Sequence, residues 1–236
     1  MKLFSLVQRV REQGLWNCLR WLVWSGNDRW QEWRLGIKTA DMIHWRDLGL
    51  NQDSESYEAI DYHTFACVMK RLTITADDVF LDYGCGMGRV LALAARQSFR
   101  RVIGVELSAR LCLIAEQNLR VVQNRLTCKN VQVINMDACE FSVPVDVSVV
   151  WLFSPFFGEV MQKVIAQIRE SLSATPREIT IIHVIPDNVP SLFRECDWLA
   201  PTAEFRVGVW KQLNCLIFQN VGECSHHKGI AVTKNA

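Results

Sequence analysis

Apolar residues along this chain follow two patterns that alternate from about residue 75 onward. Short continuous apolar runs read as buried strands: Val79 to Tyr83, Val102 to Leu107, Val131 to Asn135, Val147 to Phe153 and Ile179 to Ile185. Helical spacing fills the gaps between them. It covers Val90 to Arg96, a helix from Ser108 as N-cap to about Arg120, and another from about Gly158 to Leu172, with a short helix after Pro190. Such alternation predicts parallel strands joined by crossover helices, because no tight turn can connect a parallel pair. The last runs break the rule. Phe205 to Trp210 and Leu213 to Gln219 are separated only by Lys211 and Gln212, which predicts an antiparallel hairpin. The expected sheet therefore has five parallel strands and a terminal hairpin.

The N-terminal region has a different texture. Leu3, Val7 and Val10, then Leu15, Leu19 and Leu22, recur at helical spacing. Six of the nine tryptophans precede residue 75: Trp16, Trp21, Trp24, Trp30, Trp33 and Trp45. Residues 1–40 hold seven bases and three acids, a net +4. A basic helix with tryptophans either packs on its own domain or lies on a membrane surface. The expected organisation is a helical, Trp-rich extension or lid over residues 1–56, a main α/β domain over 57–221, and a flexible tail over 222–236, where no periodicity remains.

Composition narrows the class. Half the residues are apolar and 22% are charged, as in an ordinary folded protein, and the net charge is +1. No global field draws such a chain to nucleic acid. The nine cysteines are scattered without any Cys-x-x-Cys pair, which argues against a disulfide scaffold or a zinc ribbon and for a reducing, cytoplasmic compartment. No apolar run is long enough to span a bilayer, and no signal peptide is visible.

The densest chemistry lies in Val79-Phe80-Leu81-Asp82-Tyr83-Gly84-Cys85-Gly86-Met87-Gly88-Arg89, where a strand runs through three alternating glycines into a helix. Glycines allow positive φ and close backbone approach, and the helix start offers unpaired N–H groups. The third glycine comes one residue too early for a dinucleotide fingerprint, and no Gly-Lys-Ser/Thr follows as in a P-loop. Asp82 would repel a diphosphate but suits a cation. Glu106, 24 residues after Asp82, ends the second strand, where an acid can hold both ribose hydroxyls or simply cap the next helix. Asp137, after the third strand, either meets an adenine amino group or caps a turn.

Asp82-x-Gly84-x-Gly86-x-Gly88, then Glu106, then Asp137, resembles the class I S-adenosylmethionine-dependent methyltransferases over about residues 57 to 220. The resemblance implies a Rossmann-like α/β three-layer sandwich whose mostly parallel seven-stranded sheet carries a C-terminal antiparallel hairpin strand. It implies S-adenosyl-L-methionine as cofactor, with Asp82, Gly84, Cys85, Gly86 and Gly88 near the methionine part and Glu106 and Leu107 at the ribose. Asp137 and Ala138 fall by the adenine, Phe153 near the methyl group, and Tyr57 and Tyr62 on the segment that passes over the cofactor. The acceptor is expected to be a small molecule or a protein side chain. The alternatives are a nucleic-acid amino group, or no acceptor at all in a non-catalytic scaffold.

Ser154-Pro155-Phe156-Phe157 is similar to the Asn/Asp/Ser-Pro-Pro-aromatic loop of methyltransferases acting on planar amino nitrogens, but position 156 is Phe where that loop has its second proline. Ser154 and His183 are candidate catalytic residues. His183 reads equally as a hydrogen-bonded core residue of the fifth strand. His44 and His63 share that ambiguity, and Cys224 with His226 and His227 makes no convincing metal site, so no metal is expected. With every cofactor element lying beyond Tyr57, residues 1–40 are expected to shape the acceptor side.

Overall fold

The computed structural model describes residues 15–40, Ile43, 57–154, 156–208 and 212–221. The expectations for Leu3, Val7, Val10, His44, Trp45, Pro155, Cys224, His226, His227 and the tail lie outside these residues.

Helix α1 (Leu15–Leu35) precedes α2 (Tyr62–Met69), and the alternating core follows: β1 (Val79–Tyr83), α3 (Arg89–Ala94), β2 (Arg101–Glu106), α4 (Ala109–Val122), β3 (Val131–Asn135), β4 (Val149–Phe153), α5 (Gly158–Ala174) and β5 (Thr180–Pro186). The hairpin β6 (Leu199–Val207) and β7 (Leu213–Asn220) closes the chain. The seven strands form one sheet in the order β3-β2-β1-β4-β5-β7-β6. The pairings from β3 through β5 are all parallel, and β7 runs antiparallel to both β5 and β6.

Burial explains the strands. Every residue of β1 is buried, and β4 is buried up to Phe153, so these segments read as unbroken apolar runs with a layer on each face. One core cluster holds Leu35, Ile37, Phe65, Phe80, Leu91, Val102 and Trp151; the other holds Leu81, Tyr83, Val105, Leu152, Met161, Ile168 and Phe218. Trp151 is fully buried against Phe65, with ring centroids 5.2 Å apart. The Ser108 hydroxyl caps α4 by accepting from the Leu111 amide at 3.4 Å. The short helix after Pro190 is a 3-10 turn at Leu192–Glu195.

The hairpin is present, with Val207 paired to Leu213, but its first strand begins earlier than expected: β6 starts at Leu199 instead of Phe205. Trp210 and Lys211 lie outside the described residues. The early half of β6, Leu199-Ala200-Pro201-Thr202, looks like loop by composition. It is a strand because it lies at the sheet edge with β7 as its one partner, where a proline is tolerated, and the register shifts between Pro201 and Ala203.

β1 pairs with β2 on one side and β4 on the other. The chain reverses its direction of travel across the sheet there, which opens a crevice beyond the C-terminal ends of β1, β2 and β4. The glycine loop, Glu106 and Phe153 all fall at that edge.

Candidate functional site

The loop after β1 is built from its glycines. Gly84, Gly86 and Gly88 take φ of 74°, 53° and 80°, a region that side-chain-bearing residues avoid. Gly84 and Cys85 both donate their amides to the Val105 carbonyl, at 2.9 and 3.1 Å, which folds the loop back against β2. Space is as limiting as conformation at Gly86. A β-carbon there would sit 2.1 Å from Cε2 of Tyr57, whose ring lies directly on the loop.

Glu106 joins this loop to the start of α4. Its Oε2 accepts from the Gly86 amide at 2.9 Å and its Oε1 from the Ser108 amide at 2.8 Å. The side chain is buried, and burial raises its pKa while these backbone amides pull it back down. Asp82, at the end of β1, is more exposed to that conflict. It is 2% accessible, and its Oδ2 has no hydrogen-bond partner among the described residues. Burial, and after it the Glu106 carboxylate, raises the Asp82 pKa well above the ordinary carboxylate range. Two buried acids, one with an orphaned oxygen, form a site that a cation would satisfy. Burial likewise pushes the Cys85 thiol far up, so it is a packing group here and not a nucleophile.

Beside the acids the surface becomes apolar and open. Leu107, after Glu106, and Met136, after β3, are 46% and 39% exposed at adjoining strand ends. The Asn135 side-chain amide donates to the carbonyls of Glu106 and Leu107 at 3.0 and 2.8 Å, locking these two strand ends together. Asp137 accepts from the Cys139 amide at 2.8 Å and so caps its own turn, with Ala138 inside that turn.

On the β4 side, Phe153 is half-buried at the strand end. Ser154 has φ of 40°, the one positive value at a non-glycine residue among those described, and strain of that kind concentrates at functional loops. Its amide and hydroxyl both donate to the Val184 carbonyl, at 3.1 and 3.2 Å. Phe156 meets Tyr83 edge-on at 6.1 Å. His183 sits in the middle of β5, 2% exposed, with Nδ1 2.8 Å from the Ser191 hydroxyl and the ring edge-on to Phe193. Burial lowers its pKa to about 4, so the imidazole is neutral.

The glycine loop is supported by residues that sequence reasoning did not single out. Arg89, first residue of α3, is 3% exposed. Its Nη1 donates to Asp28 Oδ2 and to the Ile60 carbonyl, each at 2.8 Å, its Nη2 to Glu32 Oε1 at 3.1 Å, and its Nε to the Thr39 hydroxyl at 2.7 Å. The guanidinium also stacks 4.6 Å over the Tyr62 ring. Thr39 in turn donates its amide and hydroxyl to Glu32, and its carbonyl accepts from the Tyr57 hydroxyl at 2.9 Å. Asn118 of α4 completes the frame, donating to the carbonyls of Met87 and Lys38. Asp28, Glu32 and Thr39 therefore hold the helix that begins directly after Gly88. Two signals were legible in hindsight. Arg89 heads a helix otherwise made of Val, Leu and Ala, and Asn118 interrupts the apolar face formed by Leu111, Cys112, Ala115, Leu119 and Val122.

Among the described residues no cluster of His, Cys, Asp and Glu could hold a metal ion, and no helix is long and apolar enough to cross a membrane.

Residues 80–175 match the profile of a methyltransferase domain family. The fold is similar to that of an RNA methyltransferase from Salinibacter ruber crystallised with S-adenosyl-L-homocysteine, at 19% identity and a TM-score of 0.54, over 72% of this chain and 97% of that one. It is also similar to precorrin 8W decarboxylase from Methanobacterium thermoautotrophicum, at 20% identity and a TM-score of 0.50, over 70% and 93% of the two chains. A third is geranyl diphosphate C-methyltransferase from Streptomyces coelicolor, at 16% identity and a TM-score of 0.50, over 68% and 77%. No curated protein sequence matches the chain.

Proposed function

We propose that this chain, which carries a methyltransferase domain with the class I, Rossmann-like fold of S-adenosylmethionine-dependent enzymes, transfers a methyl group to a small molecule or a protein side chain. The observation that carries the reading is the pair of buried acids at the glycine loop, above all the unpartnered Asp82 Oδ2.

These residues fit S-adenosylmethionine. Asp82 would face its ammonium, which supplies the cation that the orphaned oxygen lacks. Glu106 would accept from the ribose hydroxyls while keeping its hold on the Gly86 and Ser108 amides. The open Leu107 and Met136 would flank the adenine, with Asp137 and Ala138 at its edge. Gly84, Cys85, Gly86 and Gly88 supply the close backbone approach, with Tyr57 over the loop and Tyr62 behind it under Arg89. Phe153 stands at the methyl side. When bound, the cofactor provides an electrophilic methyl on a sulfonium, whose thioether leaves readily.

The chain's own contribution is alignment. Holding donor and acceptor in line and excluding water supplies about 7–11 kcal/mol of a barrier of this type, which is why no acid–base dyad is needed. His183 is a structural residue in this reading, since its neutral ring is buried within β5 and bonded to Ser191. Ser154 shapes the acceptor mouth through its strained backbone. Its hydroxyl donates to the Val184 carbonyl and is thereby held in one orientation, while position 156 carries Phe where the planar-amino loop has its second proline. Cys67, Cys85, Cys112, Cys128, Cys139, Cys196 and Cys215 are free thiols, which supports work in a reducing, cytoplasmic setting.

The test is label transfer. The purified protein is incubated with methyl-tritiated S-adenosylmethionine and a fractionated cell extract. Label in the small-molecule or protein fraction is expected. Label confined to RNA or DNA would replace this reading with a nucleic-acid one, and cofactor binding without transfer to any fraction would leave a scaffold.

A further inference from the structure

The outward face of α1 carries a patch that the cofactor site does not use. Val23, Trp30 and Trp33 are 67%, 49% and 79% exposed. At 100° per residue these three fall on one side of the helix, while Asp28, Glu32 and Leu35 fall on the other, against Arg89 and the core. A helix that packs on its own domain ordinarily carries polar residues outward. Here the outward stripe is apolar, and exposed Arg29 and Arg34 line its two edges. The Arg34 guanidinium lies 5.5 Å from the Trp30 ring.

The patch continues onto α4. A β-carbon on Gly36 would lie 3.1 Å from Val121 Cγ1, and Val121 is itself 57% exposed. Arg125 donates to the Arg34 carbonyl at 2.6 Å. Lys38, Arg120 and Arg125 are all exposed around this junction, with Arg120 paired to Glu116. Val23, Trp30 and Trp33 thus lie along one face of α1, Val121 lies beside Gly36 just past its end, and exposed basic residues flank both.

We propose that this face docks the protein on an anionic lipid bilayer, with Trp30 and Trp33 at headgroup level and Arg29, Arg34 and Arg125 toward the lipid phosphates. The indole ring, apolar in body with one polar N–H, is suited to that depth. The flanking basic residues complement a negative leaflet, where each Lys or Arg near the surface adds about fivefold in affinity. An aliphatic share in the patch favours lipid over nucleic acid, because base stacking uses aromatic faces and gains little from Val23 or Val121. With no helix fit to cross the bilayer among the described residues, the association is peripheral.

The experiment is vesicle co-sedimentation of the full chain, comparing phosphatidylcholine alone with phosphatidylcholine containing about 30 mol% phosphatidylserine. Binding to the anionic vesicles, released by high salt, is expected. The double variants W30A/W33A and R29E/R34E should each lose about tenfold or more in vesicle affinity while binding S-adenosylhomocysteine as the parent does, since none of the four side chains touches the glycine loop. Brominated lipids should quench the parent's tryptophan emission, a readout that needs no variant. No preference for anionic over neutral vesicles, absent quenching, or folded variants that sediment like the parent would each overturn the proposal. So would binding of single-stranded RNA without binding of vesicles.

Discussion

The Arg89 guanidinium donates to the Asp28 carboxylate at 2.8 Å, bridging residues 61 positions apart in the chain. Through that contact the N-terminal helix is fastened to the first turn after the glycine loop. Removing one partner of a buried pair leaves the other charge uncompensated and costs about 3–5 kcal/mol. Arg89→Met should lose stability of that order in chemical denaturation. Arg89→Lys should recover only part, because an ammonium cannot reach four acceptors with a planar fork. Deleting residues 1–40 removes Asp28, Glu32 and Thr39 together and should abolish soluble, cooperatively unfolding protein. A truncated chain that unfolds with the parent's midpoint would contradict this linkage.

Glu106 serves two tasks, and two substitutions separate them. Glu106→Ala strands the Gly86 and Ser108 amides, so both stability and cofactor affinity should fall. Glu106→Gln keeps one acceptor oxygen but turns an NH2 toward the other backbone amide, so it should lose less stability than the Ala variant while weakening S-adenosylhomocysteine by about 1–3 kcal/mol. Calorimetric titration of the Gln variant with unchanged affinity would remove Glu106 from the binding site.

Gly86→Ala tests the loop at a single methyl. The new carbon would lie 2.1 Å from the Tyr57 ring and would hold a φ of 53° that alanine disfavours. Cofactor binding should be lost beyond detection. The double variant Gly86→Ala/Tyr57→Ala should remain non-binding because the backbone strain persists. Parent-like affinity in the single variant would mean that the loop is only a turn.

Asp82 should make stability fall with rising pH. Its folded pKa is raised above the ordinary 3.8, so the folded state holds a proton that the unfolded chain has already released. The contribution is full below the ordinary pKa and disappears as pH climbs through the folded one. Asp82→Asn should flatten this slope and raise the melting temperature at neutral pH. It should also weaken the cofactor about tenfold or more, since the amide offers no charge to an ammonium. A variant that is more stable and still binds fully would show that Asp82 is structural only.

His183 gives a slope of opposite sign. Its pKa is depressed from 6.5 to about 4, so the unfolded state binds the extra proton between those values. Stability is intact above the ordinary pKa and declines as pH falls toward the folded one, by up to about 3 kcal/mol. In His183→Phe that part of the acid transition should vanish, while label transfer at neutral pH survives. Loss of transfer in a folded His183→Phe protein would instead place the imidazole in the chemistry.

Local pattern alone determined much of this protein. The unbroken apolar runs, with helical spacing between them, specify buried parallel strands, because a strand covered on both faces has no polar face to show. The alternating glycines with Asp82 and Glu106 were legible because positive φ and buried acids constrain residue type directly. The start of β6 was hidden, since an edge strand bonded on one side accepts proline and polar residues that resemble a loop. The support of the site was hidden more deeply. Nothing near Arg89 in sequence indicates that its partners are Asp28, Glu32, Thr39 and Ile60, or that the Tyr57 ring covers Gly86. Those contacts join segments 29 to 61 residues apart. Only the folded chain could choose them, because a charge buried by packing must take whatever acceptors that packing brings within reach.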